Sequence, residues 1–255
     1  MGSFKKISCF LIVAAAFFIN GCGGIGSSAH VSNFDMEISE APEVTGATRY
    51  LRSKTSTMRL HGTFKLDPHE DSYASGKYNA LPSAWSFKSE NYDADGVYHL
   101  GGNEFVGGID FYHKFHDMLI GIGASINDGL FYYFTIGYND EFFELGAFVG
   151  VFHQMMHIRC EGSRYTEKDD LSNSLFFGFY IATYYKDFFF SYSLSDYKPS
   201  FNVANTSVET SAVVSNYFTI GYYLNKRISV TVGAISTSSD SMHLAASFGL
   251  NFYPL

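Results

Sequence analysis

The chain has 255 residues, a formal net charge of −8 and only 16% charged side chains, well under the roughly 25% of an ordinary soluble domain. An acidic balance argues against a nucleic-acid partner, which is held through a basic face. It carries 26 Phe and 19 Tyr but a single Trp, and past its first segment no apolar run approaches the ~18 residues of a membrane helix, so its apolar residues must alternate with something else.

Lys5 and Lys6 precede an apolar stretch over residues 7–19, broken only by Ser8. This is the anatomy of a secretory signal peptide over 1–21, whose removal makes the balance more acidic still. It ends at Ile19-Asn20-Gly21-Cys22, which resembles the lipobox of bacterial prolipoproteins, with Asn20 where that family has a smaller residue. The resemblance implies cleavage before Cys22, a palmitate-bearing lipid on Cys22, and, because Gly23 rather than Asp follows, sorting to the outer membrane of a Gram-negative cell. An ordinary signal peptide with an incidental Cys is the simpler alternative. With Cys9 in the leader and Cys22 in the motif, Cys160 stands alone and no intrachain disulfide can form.

Residues 23–55 are Gly/Ser-rich, then acidic, without a sustained period, and read as a flexible periplasmic tether over 22–55. From there to 255, period-2 alternation dominates. Met58, Leu60, Phe64 and Leu66 oppose Arg59, His61, Thr63 and Lys65. The same rhythm recurs around residues 104–112, 118–126, 132–138, 143–151, 174–181, 188–195, 215–224, 227–234 and 243–252. These make about ten strands (8–12), near the 9–11 residues of a tilted membrane strand. His116-Asp117, Asn139-Asp140, Lys186-Asp187 and Asn225-Lys226 are tight turns, while 67–102, 158–171 and 197–210 are long loops at the other end. Short periplasmic turns and long outer loops are the outer-membrane pattern, and this arrangement puts both termini at the short-turn end. Tyr133-Phe134-Thr135-Ile136-Gly137-Tyr138 recurs as Tyr217-Phe218-Thr219-Ile220-Gly221-Tyr222, which a shared strand grammar explains as well as duplication does.

Alternation alone also fits a soluble lipocalin-like carrier with its apolar face inward. The weaker face decides. Facing water it should be rich in Lys and Glu; here it is mainly Gly, Ser, Thr, Ala and Tyr, the filling of a crowded bore. The expectation is an all-β, closed antiparallel up-and-down transmembrane barrel, since an open strand edge in hydrocarbon leaves costly orphan groups. Ser247-Phe248-Gly249-Leu250-Asn251-Phe252 resembles the C-terminal β-signal of outer-membrane barrels, displaced by Tyr253-Pro254-Leu255. That implies the barrel assembly machinery as a partner in biogenesis, with outer-membrane lipid as the other.

The candidate site residues are Cys22 for lipidation and six barrel-interior charges: Arg59, Lys65, Glu104, Asp110, Glu144 and Arg227. A charge buried without a partner is too costly to keep, so pairing is expected, as a structural salt-bridge filling or as the lining of a narrow pore. His153 and His157 have helical metal spacing, but on a strand they stand about 13 Å apart and cannot share an ion. Omptins, ten-stranded outer-membrane proteases, gather carboxylates and a His–Asp pair at the rim. His69, His99, Asp196, Asp240 and His243 are available for that here, but no motif matches residue by residue, and Asp67-Pro68-His69-Glu70-Asp71 reads more simply as a solvated acidic loop. Residues 72–98, with Tyr73, Tyr78, Trp85, Phe87, Tyr92 and Tyr98, suit an adhesive surface or a lid. No catalytic residue, cofactor or metal is expected. The function expected is structural or binding, displayed on the outer loops to a ligand the residues do not name; a narrow solute pore and a tethered carrier are the alternatives.

Overall fold

The strands expected from period-2 alternation form the whole frame of the computed structural model, which describes residues 31–46, 48–51, 54–66, 70–80, 90–100, 105–126, 129–162, 166–203, 206–238 and 242–253. The leader with Cys22, and Glu104, lie outside the described residues. In chain order the strands are β1 (Val31–Ile38), β2 (Thr55–Leu66), β3 (Glu70–Ala80), β4 (Glu90–Leu100), β5 (Phe105–Phe115), β6 (Met118–Ile126), β7 (Gly129–Asn139), β8 (Phe143–Gly162), β9 (Thr166–Tyr185), β10 (Phe188–Tyr197), β11 (Ser200–Val203), β12 (Thr206–Thr210), β13 (Val213–Asn225), β14 (Ile228–Ser238) and β15 (Met242–Phe252).

Ten of these, β2, β5 to β10 and β13 to β15, pair in sequence order, and β15 returns to β2 through Phe248 opposite Phe64. The result is a closed antiparallel up-and-down barrel. Its outward row is almost purely apolar: Phe64, Ile122, Phe134, Leu145, Phe177, Phe190, Ile220 and Val232 are all exposed. A lipocalin-like carrier would turn these residues inward, so that alternative is corrected. Bulk faces lipid because hydrocarbon demands it of every outward position. Phe115, Tyr138, Phe142, Phe143, Tyr185, Phe188 and Phe252 are exposed beside the short turns, where an aromatic girdle meets the headgroups.

The inward row explains the glycines. Tyr112 faces Gly121 across the ladder, Tyr133 faces Gly123, Tyr180 faces Gly146, Phe176 faces Gly150, Phe148 faces Gly178 and Phe189 faces Gly221. In each pair the ring lies over its partner, so that a Cβ on Gly121 would sit 2.6 Å from Tyr112 Cδ1. An aromatic side chain covering a cross-strand glycine keeps the bore filled without splaying the wall.

All three of the expected long loops contain strand instead. The loop expected at 158–171 is mostly the continuation of β8 and β9, which are 20 residues each. The outward row of β8 runs Leu145, Ala147, Val149, then Met155, and changes to exposed His157, Arg159 and Glu161, which marks where lipid ends. Above that line β1 pairs antiparallel with β8 and parallel with β4; β4 pairs with β3, β3 with β12 and β12 with β11. The β11 strand meets the upper part of β9, where Ser172 Oγ donates to Ser200 O at 2.8 Å. The buried residues of this crown form one cluster with the rings of Phe131, Phe152 and Phe176 in the bore. Phe34 packs edge-on to Phe201 at 5.7 Å, among buried Met36, Ile38, Ala94, Ile158 and Val208.

Of the tether expected over 22–55, the described residues from 31 on are built into the fold instead. Residues 31–38 are β1, and 39–51 run down the bore, where Ser39, Glu40, Ala41, Val44 and Thr48 are buried. The chain therefore enters from the long-loop end and emerges at the short-turn end, where Tyr50 OH meets Asp187 Oδ1 at 3.4 Å. Only β2 and β15 have their free ends beside the short turns; residue 31 lies at the opposite end.

Candidate functional site: a bore filled by the N-terminal segment

A segment with neither helix nor ladder inside a barrel must find partners for its backbone groups among side chains. The wall supplies them along its whole height. The Ser39 N–H donates to Gln154 Oε1 at 3.2 Å, and Tyr197 OH donates to Ser39 O at 2.5 Å. The Ala41 N–H donates to Ser215 Oγ at 3.1 Å, and Tyr217 OH donates to Ala41 O. Tyr112 OH donates to Thr45 O at 3.3 Å. Arg59 Nη1 donates to Gly46 O at 2.5 Å, and the Thr48 N–H donates to Glu144 Oε2 at 2.9 Å.

Four of the six expected interior charges are where alternation puts them, and they act through this segment. Arg59, 1% exposed, pairs with Asp110 through Nη2 at 2.5 Å and Nε at 2.6 Å. Tyr133 OH also donates to Asp110, and His61 Nε2 lies 3.6 Å from it. Lys65 pairs at 2.5 Å with Glu40, a residue of the threaded segment. Among the described residues Glu144 forms no ion pair. Its Oε2 accepts from Thr48 N–H, Thr48 Oγ1 (2.8 Å), Asn139 Nδ2 (2.9 Å) and Tyr184 OH (2.6 Å). Lys114 donates to Asn139 Oδ1 at 2.6 Å, so its charge reaches that cluster through the amide. Lys114, Glu40 and Asn139 were missed by the sequence reading. Lys114 sits on the inward parity of β5 and was legible; Glu40 lies in a stretch without period.

Arg227 is a correction. It occupies the exposed two-residue turn between β13 and β14, one step short of the strand, and Asn225 Oδ1 accepts from its N–H at 2.7 Å. Inward parity has no meaning where the chain has left the ladder. Asp140 does the same work at the β7–β8 turn, accepting from the N–H groups of Phe143 (2.8 Å) and Phe142 (2.7 Å). These bonds hold its carboxyl below the usual carboxylate range, the Phe143 amide foremost.

The described wall side chains and residues of the threaded segment fill much of the bore. The gap beside Glu43, Thr45, His61 and Ser191 has room of about 20 Å³, enough for a water or so. At the short-turn end the bore opens to a vestibule of about 960 Å³ bounded by Arg49, Tyr50, Lys114 and Tyr253 among others. Of the rim candidates only His99 and Asp196 have described side chains, that of His243 lying outside the description. His99 pairs with Asp35 on the crown at 2.8 Å, both about half exposed, while Asp196 is on β10, and His69 and Asp240 lie outside the described residues. His153 Nδ1 meets Asn173 Oδ1 across β8 and β9. Among the described residues no group of His, Cys, Asp and Glu has metal-holding geometry.

No family model matches the sequence, and no curated protein is similar to it. Among solved structures, the NanC porin aligns with a TM-score of 0.43 at 10% identity, over 76% of this chain and 98% of the porin. The outer membrane protease OmpT from Escherichia coli aligns at 0.37 and 11% identity, over 81% of this chain and 97% of the protease. The Pseudomonas putida toluene transporter TodX aligns at 0.30 and 6% identity, over 91% and 97%. Scores at this level transfer no property to this chain.

Proposed function

We propose that the protein is a lipid-anchored outer-membrane barrel whose role is structural or binding, exerted by the crown above the membrane and not by conduction through the barrel. The observation that carries this reading is the filled bore beneath a folded crown. The segment 39–51 is bonded to the wall from Gln154 at the crown end to Glu144 near the short turns, and the gap beside Glu43 and Thr45 is water-sized. The outward surface of the crown is polar, with Lys198 and Glu209 paired at 2.7 Å and both about half exposed. An extracellular ligand or a neighbouring envelope component would meet that surface. The lipid anchor at Cys22 rests on the leader and on Ile19-Asn20-Gly21-Cys22. The barrel assembly machinery as a partner rests on Ser247 to Phe252.

Reconstitution of the full chain in planar bilayers tests the reading. The expected result is silence. A steady open-channel current from the intact protein would overturn it in favour of a narrow solute pore.

A further inference from the structure

The direction in which the chain threads the bore has a consequence for whatever precedes Val31. We infer that the barrel delivers its own N-terminal segment to the long-loop side of the membrane, so that Cys22 and its acyl group are held at the outer leaflet; the acyl part of this rests on the lipid anchor proposed above. The β1 strand runs alongside β8 in the opposite sense, with Val31 opposite Gly162 and Glu37 opposite His157. Gly162 is the outermost described residue of β8, and the exposed charges Arg159 and Glu161 near it lie above the apolar band. From Val31 the chain descends: Ser39 bonds Gln154, Gly46 bonds Arg59, Thr48 bonds Glu144 and Tyr50 meets Asp187 beside a short turn.

Covalent reach then fixes the side. About nine residues separate Cys22 from Val31, and a fully extended chain covers no more than ~3.6 Å per residue, or roughly 30 Å. Val31 stands level with a point about seven residues beyond Met155 on β8, roughly 18 Å above the apolar band once a strand tilt of ~40° is allowed for. The band itself is about 25 Å tall. A Cys22 at the opposite leaflet would have to cross roughly 40 Å and also pass around the outside of the barrel. The way back through the bore is already occupied by residues 39–51. The near leaflet is within reach; the far one is not. A lipid attached there anchors the crown from above, while the barrel anchors it from below.

Single cysteines tested on intact cells with a membrane-impermeant polyethylene-glycol maleimide distinguish the sides. The unmodified chain is the baseline, since Cys160 is buried. Ser28→Cys reports the segment before β1, Lys198→Cys the crown and Lys226→Cys the short-turn end. The expected result is a gel shift of Ser28→Cys and Lys198→Cys on intact cells, and of Lys226→Cys only after permeabilisation. If Lys198→Cys shifts on intact cells while Ser28→Cys needs permeabilisation, the threading is overturned. If Lys226→Cys shifts and Lys198→Cys is protected, the barrel is inserted the other way and the outer-leaflet placement fails. Incorporation of an alkyne-bearing palmitate, lost in Cys22→Ser, tests acylation separately. Its absence refutes the lipid anchor and the acyl placement, and leaves the cysteine result to decide the threading alone.

Discussion

Replacing Asp110 with Ala should destabilise the barrel more than replacing both partners of its ion pair. Arg59 and Asp110 are 2% and 0% exposed at their side chains and meet at 2.5 Å, so the single change strands a guanidinium in the bore with only Gly46 O, Thr45 Oγ1 and Tyr112 OH around it. Breaking a buried pair from one side costs about 3–5 kcal/mol. In Arg59→Met/Asp110→Asn no charge remains. The asparagine still accepts from Tyr133 OH, and the main loss is the donor to Gly46 O, worth about 1–3 kcal/mol. The double variant should therefore be the more stable by about 2 kcal/mol, a shift of roughly 1 M in urea midpoint at a slope near 2 kcal/mol/M. Unfolding of protein refolded into lipid vesicles, followed by loss of the heat-modifiable gel form, measures both midpoints. Equal midpoints for the two variants, or a single variant within 1 kcal/mol of the parent, would show that the pair does not sit in a dry, filled bore and would refute the reasoning.

Other expectations follow from the same geometry. Gly46 lies where a Cβ would come within 2.7 Å of the Tyr180 ring and closer still to the Glu144 carboxylate. Gly46→Val should thus dislodge the lower part of the threaded segment, costing about 1–3 kcal/mol and producing intermittent conductance in bilayers; a silent, fully stable variant counts against a tightly seated segment. Lys186 and His116 hold φ of 52° and 55° at the first position of two-residue turns, a conformation that costs a side-chain-bearing residue about 1 kcal/mol. Lys186→Gly should raise the unfolding midpoint slightly, and a lower midpoint would count against that turn geometry. Asp140 is held below its usual pKa in the folded state by the Phe143 and Phe142 amides. Its ionised carboxylate therefore adds stability above the unfolded-state value near pH 3.9, and that contribution is lost as pH falls through the lower folded value. The stability gap between the parent and Asp140→Asn should shrink from pH 7 to pH 3, and a constant gap would show that the carboxylate charge is not what the turn uses.

The barrel was legible because lipid imposes one rule on every outward position. Ile122, Phe134, Phe179 and Val232 carry the same instruction however their neighbours vary, so ten strands and their facing could be read without knowing a single contact. The inward row was legible in composition but not in detail. That Tyr180 covers Gly146 and Phe189 covers Gly221 depends on register, which alternation leaves open. The threaded segment was not legible at all. Ser39 to Leu51 has no period because its backbone is bonded to wall side chains such as Gln154, Ser215 and Glu144 and not to a neighbouring strand, so it reads as linker. The signals available were Lys65, an inward cation, and Glu40, an acid in a supposed tether. Matching the two across the segment boundary would have placed the segment in the bore. Arg227 failed for the opposite reason: parity was extended one residue past the end of its strand.

The order in which the parts assemble is also constrained. The β1 strand lies between β4 and the upper half of β8, so the end of the chain that leaves the bore on the long-loop side is wider than a single extended strand once the crown has formed. The bore admits little more than residues 39–51, given the rings of Phe131, Phe152, Phe176 and Tyr180 buried around them. Drawing a finished crown through a finished barrel is sterically excluded. The segment must therefore be in place before the wall and the crown are both complete, and its position directly before β2 suits enclosure as the wall closes. It lies alongside the first barrel strand while the others are added, until β15 meets β2 through Ala246 opposite Leu66 and Phe252 opposite Leu60. The ion pairs then have a second role. Lys65 is on β2, and its partner Glu40 is on the segment, so the strand that forms the closing seam with β15 already carries a hold on the chain it must enclose. A buried pair of this kind contributes little net stability, but it fixes which chain lies inside when the seam shuts.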